Sequence, residues 1–271
     1  MSNTLRSYLS FFRLRFQSGL QYRAAAAAGV STQFAWGFME IMLYTAFHRG
    51  AAGQFPMELQ ALCSYKWLRQ AFLTCFSIWM VEGDLFDLIS SGNVAYELCR
   101  PMDLYGMWFT KAAAGRLSRA ALRSLPILAV AFLLPKPYGL SLPAGPAAFL
   151  LFLLTMAMAF LLVVAASMIM YIACFYTISS LGVRIIANAV VEFLSGAWIP
   201  LPFLPDGFRQ AAELLPFSLM LSLPLRVYGG DIPPAEAAWG LLLQVVWLAA
   251  FLLLGKWMMS RALRRVVVQG G

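Results

Sequence analysis

The chain has 271 residues, of which 61% are hydrophobic and 12% charged, and its formal net charge is +8. In a soluble protein that charge would point to nucleic acid; in a chain this apolar, where the charges fall matters more than their sum. The four cysteines, Cys63, Cys75, Cys99 and Cys174, form no CxxC pair, so neither a disulfide framework nor a metal site is expected.

In residues 1–23, Leu5, Leu9, Phe12, Phe16 and Leu20 recur at spacings of three and four, with Arg6, Arg13 and Arg15 mostly off that stripe. The pattern predicts a helix lying in the cytoplasmic membrane interface. There is no compact apolar core followed by a small-residue cleavage site, so no cleavable leader is expected.

Six apolar runs follow, at 24–47, 61–81, 125–134, 147–176, 181–199 and 237–259, and the fourth carries no charge from Ala147 to Cys174. About 20 apolar residues cross a bilayer as a helix. The expected fold is an all-α integral membrane protein of six transmembrane helices, a single domain over 1–271 with short loops. The third run emerges from a helical stretch bearing Lys111, Arg116, Arg119 and Arg123. This helix is expected to start in the cytoplasm and enter the membrane late, its basic side chains snorkelling to the interface and Pro126 kinking it.

The distribution of basic residues orients the chain. An N-terminus inside puts Arg6, Arg13, Arg15 and Arg23 in the cytoplasm. It also puts there the residues from Arg100 to Arg123, Arg184, and the cluster Lys256, Arg261, Arg264 and Arg265. These outnumber the outer set of Arg49, Lys66, Arg69, Lys136, Arg209 and Arg226. Both termini are therefore expected in the cytoplasm.

Two connections are long enough to carry mechanism. The cytoplasmic one, 84–104, contains Leu85, Phe86, Asp87, Leu88 and Ile89 before Ser90-Ser91-Gly92, which predicts a short amphipathic helix. Its apolar and acidic side chains suit docking of a soluble partner. The outer one, 200–236, is broken by Pro200, Pro202 and Pro205 and resumes at Pro216-Phe217. It predicts a re-entrant or interfacial hairpin. Two carboxylates fall inside apolar runs, Glu40 in the first and Glu192 in the fifth. Ionisable groups at that depth face protein or water. They are candidates for a translocation path, or for a structural pairing with Arg184, Gln33 or Asn188.

Taken in order, these features resemble the permease subunits of type-2 ABC transporters, the ABC-2 permeases, and within them a bacterial branch of about this chain length. The string Ser91-Gly92-Asn93-Val94 through Leu98-Cys99-Arg100-Pro101-Met102-Asp103 is similar to the family's pattern after span two. Ile199 through Pro205, followed by Leu215-Pro216-Phe217, is similar to its outer hairpin. The resemblance implies a dimer with a second permease, the same or a different chain, and two copies of a separate ABC ATPase. It makes Leu85, Phe86, Asp87, Leu88 and Ile89 the ATPase-coupling helix. Spans one and five would line the central interface, where an amphiphilic or lipophilic substrate is exported across the bacterial inner membrane.

Other classes fit less well. The sequence has no GxxxxGK[ST] loop, so ATP-Mg would be bound by the partner and no cofactor by this chain. Its one histidine, His48, has no GxSG-type serine motif beside it, which argues against an intramembrane enzyme. An ion-coupled secondary transporter would use Glu40 and Glu192 as its carboxylates, but no inverted repeat supports it.

Overall fold

The computed structural model describes residues 3–50, 55–177 and 180–264, and Arg265 of the terminal basic cluster lies outside them. Among the described residues every regular element is a helix. The amphipathic N-terminal segment is α1 (Asn3–Gly19), followed by α2 (Arg23–Gly50). α1 lies tightly along α7 (Leu104–Leu133): a Cβ on Gly106 would stand 2.7 Å from the Tyr8 hydroxyl. Its inward face is Tyr8, Phe11, Phe12, Arg15 and Phe16, while Leu5 and Leu9 of the apolar stripe are exposed.

α8 (Pro146–Ala173) and α12 (Pro234–Leu263) are long and apolar enough to cross a membrane. Their 28 and 30 residues span roughly 42 and 45 Å at 1.5 Å per residue. They pack on each other, and α11 (Pro216–Gly229) wedges against both and against α3 (Leu59–Ala71). Gln244 of α12 is fully buried and donates to the carbonyls of Thr155 and Leu219, each at 2.9 Å. One amide thus ties three helices. The outward faces remain apolar, with Leu150, Leu154, Val246 and Leu253 exposed. That pattern suits an apolar surrounding, because lipid removes the penalty that water imposes on such a surface.

Two of the apolar runs are shorter as helices than as sequence. The second forms α3 (Leu59–Ala71), breaks at Phe72, resumes as α4 (Leu73–Phe76) and leaves helical geometry at Ser77. Thirteen residues in α3 reach only about 20 Å, short of the roughly 30 Å hydrocarbon core. The fifth forms α9 (Ser180–Leu194) and stops before residue 199. Gly196 then turns the chain at φ 81°, in the left-handed region that glycine enters without a Cβ clash.

The proline-rich stretch folds into a 3-10 turn at Leu201–Phe203, then α10 (Asp206–Leu214) and α11. α11, only 14 residues long, is almost wholly buried in the core. Gly230, at φ 79°, closes it. Arg226 near its end clasps Glu213 at 2.6 Å and Asp231 at 2.5 Å. α7 runs unbroken through Pro126 for 30 residues, its N-terminus capped by the Asp103 carboxylate accepting from the Gly106 amide at 2.7 Å.

Candidate functional site

The break in the second run exposes carbonyls that a continuous helix would have used, and side chains from neighbouring helices satisfy them. Gln33 of α2 donates to the Gln70 carbonyl at 2.9 Å. Arg116 of α7, fully buried, donates to the carbonyls of Thr74 at 3.1 Å and Ser77 at 2.6 Å, and to the Ser167 hydroxyl at 2.7 Å. Both of these donors, though polar and deep in the protein, help hold the broken helix in place.

Held this way, α3 turns Lys66 and Arg69 inward. Lys66 lies 3.1 Å from Glu40, and Arg69 donates to Glu40 at 2.7 Å and reaches Glu192 at 3.7 Å. Lys66 also sits 4.7 Å from the Tyr44 ring centre. The loop after α9 closes the cluster from its far side. Its Gly196 and Trp198 carbonyls accept from the Tyr65 and Tyr44 hydroxyls, each at 3.0 Å. Lys66 and Arg69, both counted by sequence with the outer side, are buried and held by carboxylates.

Glu40 and Glu192, taken from the sequence as two separate candidates, meet through Arg69 at one cavity of about 520 Å³. Trp36, Trp79 and Trp198 line it too, and all three are exposed on the surface of the chain. Among the described residues, the side-chain oxygens of Gln33 and Asn188 in its lining are buried without a hydrogen-bond partner. The cavity therefore combines paired charges, unused acceptors and aromatic faces, a mixture that accommodates water and amphiphilic groups. Neither Arg184, Gln33 nor Asn188 is the ionic partner of the carboxylates. Arg184 instead places its guanidinium 5.3 Å from the Phe86 ring centre.

Two of the basic residues of α7 have acidic partners. Lys111 pairs with Asp84, Arg119 pairs with Glu82 at 2.7 Å, and the Glu82 amide donates to the Tyr171 hydroxyl at 2.7 Å. These contacts fasten α5 (Gly83–Ser90) to α7 and α8. Within α5, Leu85 and Phe86 are buried, and Phe86 packs on Tyr171 with ring centres 5.0 Å apart. Asp87 is exposed, and Leu88 and Ile89 are half-buried. The next segment is the short helix α6 (Val94–Leu98), with Tyr96 and Leu98 exposed.

The model of the ABC-2 family transporter proteins matches residues 61–270. The chain belongs to the ABC-2 family. No curated protein matches it. As an ABC-2 permease it is a membrane component of an ABC transporter, in a family that associates with an ABC ATPase and is generally not itself catalytic. The matched stretch includes α3, α5, α7 and α9 of the permease but not α1, α2 or Glu40.

Sequence reasoning singled out Glu40, Glu192 and the 84–104 segment as candidates, and did not place Lys66, Arg69 or Arg116 in the interior. A signal for the first two was available. Lys66 and Arg69 lie well inside the 61–81 run, at a spacing of three that puts both on one helix face.

Proposed function

We propose that this ABC-2 permease forms the translocation path of an ATP-driven exporter in the bacterial inner membrane. It spans the membrane six times with both termini in the cytoplasm. It works as a dimer with a second permease, identical or different, and with two copies of an ABC ATPase that bind ATP-Mg. The exported compound is amphiphilic or lipophilic, and it passes along the cavity that holds Glu40 and Glu192.

The observation that carries this reading is the fastening of α5. Its back is fixed to α7 and α8 by Lys111–Asp84, Arg119–Glu82 and the Phe86–Tyr171 contact. Its exposed side offers Asp87, and Leu88 and Ile89 are half-buried against the core with part of each still accessible. A push delivered to that side by a closing ATPase is passed to two long helices rather than absorbed by a loop. Leu85 and Phe86, the other two apolar members of the coupling set, serve as its anchor, and the ATPase contact falls to the other three. The exposed tryptophans beside α2 and α9 support a second permease covering the cavity's open side. The ion-coupled alternative finds no favouring observation, because both carboxylates are already held by cations.

The test is purification of the tagged chain from its native membrane in mild detergent, with mass spectrometry of what accompanies it. A stoichiometric ATPase, with ATP-dependent flux after reconstitution, is the expected result. A chain that purifies alone and moves substrate without ATP would overturn the proposal.

A further inference from the structure

A second cavity, of about 430 Å³, lies where the end of α1 and the start of α2 meet α7 and α5. Four basic side chains line it, Arg15, Lys111, Arg119 and Arg123, against two carboxylates, Glu82 and Asp84. Both acids are taken up, Asp84 by Lys111 and Glu82 by Arg119. Arg15 and Arg123 are left without a carboxylate among the described residues, and the Nε of each is buried with no hydrogen-bond partner. Two guanidinium groups held without an anion at one cavity are costly unless a ligand supplies the charge.

The shape narrows the ligand. Arg123 is laid across Gly29, where a Cβ would come within 2.5 Å of its guanidinium carbon. Arg15 lies 5.3 Å from the centre of the Phe11 ring. Both forks are thus positioned by packing rather than by ion pairs. The exposed Ser18 adds a hydroxyl donor, and Ala25, Ala26 and Leu122 form an apolar wall beside it. A phosphate attached to an apolar body satisfies every part of this lining, since a guanidinium fork matches phosphate oxygens. We propose that this cavity binds the phosphate headgroup of an anionic amphiphile through Arg15 and Arg123. Arg123 lines the larger cavity as well, so the bound headgroup stands at its entrance. Only that placement at an entrance rests on the permease reading; the binding itself does not.

Fluorescently labelled phosphatidylglycerol, titrated into the detergent-solubilised chain without any ATPase, tests the site by anisotropy. A phosphatidylcholine analogue serves as the neutral-headgroup control. Phosphatidylglycerol is expected to bind about tenfold more tightly than phosphatidylcholine, and Arg15→Gln and Arg123→Gln are each expected to weaken it about tenfold, as loss of one charge-assisted hydrogen bond would. Arg123→Lys should retain part of the affinity, and Arg209→Gln on α10 should leave it unchanged. Displacement by millimolar inorganic phosphate would support the anion site and assign its ligand to the water side, whereas no displacement would support a lipid source. Lipid-free thermal unfolding separates lost binding from lost fold, and if Arg123→Gln unfolds the protein, Arg15→Gln alone decides. Equal affinity for the two lipids, or wild-type affinity in a folded Arg15→Gln variant, would overturn the assignment. Because no ATPase is present, failure here is distinct from failure of the exporter reading.

Discussion

Replacing Arg116 with methionine keeps most of the side-chain volume and removes every donor. In the structure that side chain serves the Thr74 carbonyl, the Ser77 carbonyl and the Ser167 hydroxyl. The hydroxyl keeps a partner, because Ser167 also donates to the Val163 carbonyl at 2.8 Å. The two backbone acceptors do not have that recourse, and each costs about 1–3 kcal/mol when buried without a donor. Relief from burying a guanidinium offsets part of the loss. The net destabilisation is about 2–4 kcal/mol, which corresponds to an unfolding temperature lower by roughly 5–10 °C. The assay is thiol labelling during a thermal ramp in detergent. Cys63, Cys75 and Cys174 are buried while Cys99 is exposed, and Cys75 lies inside α4 next to the Thr74 carbonyl. Arg116→Met is expected to advance labelling of Cys75 ahead of Cys63. If Arg116→Met melts at the wild-type temperature with Cys75 still protected, the argument that this arginine holds the broken helix is refuted.

Three further outcomes follow from the same geometry. Glu40→Gln and Lys66→Met should each destabilise, and the double variant should cost less than their sum by about 1–3 kcal/mol, as coupled buried charges do; additive effects measured by thermal unfolding would mean the pair is not coupled. Asp87→Lys should fold normally yet lose ATPase stimulation when the partner is supplied, because Asp87 is exposed, whereas Leu85→Asp should fail to fold, because Leu85 is fully buried; unfolding of both variants would place the exposed side of α5 in the core instead. Gly196→Ala should cost about 1–2 kcal/mol for its left-handed φ alone, with further strain because a Cβ there stands 3.1 Å from the Tyr65 hydroxyl; an unchanged unfolding temperature would show that the turn relaxes freely.

Much of the fold was legible because apolar length is a local signal. The runs that became α2, α8 and α12 stand out in the sequence, and so does the amphipathic period of α1. The charged first half of α7 was legible as helix, but its partners were not. Snorkelling and burial ask the same of a lysine's stem, and only the placement of Glu82 and Asp84 decides between them. α11 was obscure for a related reason. Its fourteen residues are too few to cross a bilayer, and only the neighbouring α8 and α12 give it a place. The break at Phe72 has no proline or glycine to announce it; it is held by Gln33 and Arg116, which are remote in sequence. Glu40 and Glu192 were singled out because charge at depth is rare. Their meeting through Arg69 could not be read, since the positive-inside count says only which side of the membrane a charge is on and not whether it is buried.

The inward-turned charges of α3 also bear on how the chain is made. In the proposed topology, a segment of thirteen residues carrying Lys66 and Arg69 is a poor substrate for membrane insertion by itself, since each such charge near the middle of a span disfavours entry by about 2.5–3.5 kcal/mol. α2 emerges from the ribosome first and brings Glu40; α7 follows later with Arg116. Synthesis therefore delivers the counter-charge before α3 and the brace for its broken end after it, so that α3 waits beside α2 until α7 arrives. Glycosylation-site mapping of truncated chains would read this order directly: a chain ending near residue 100 should leave α3 incompletely inserted, one ending near residue 135 should complete it, and Glu40→Gln should delay the change.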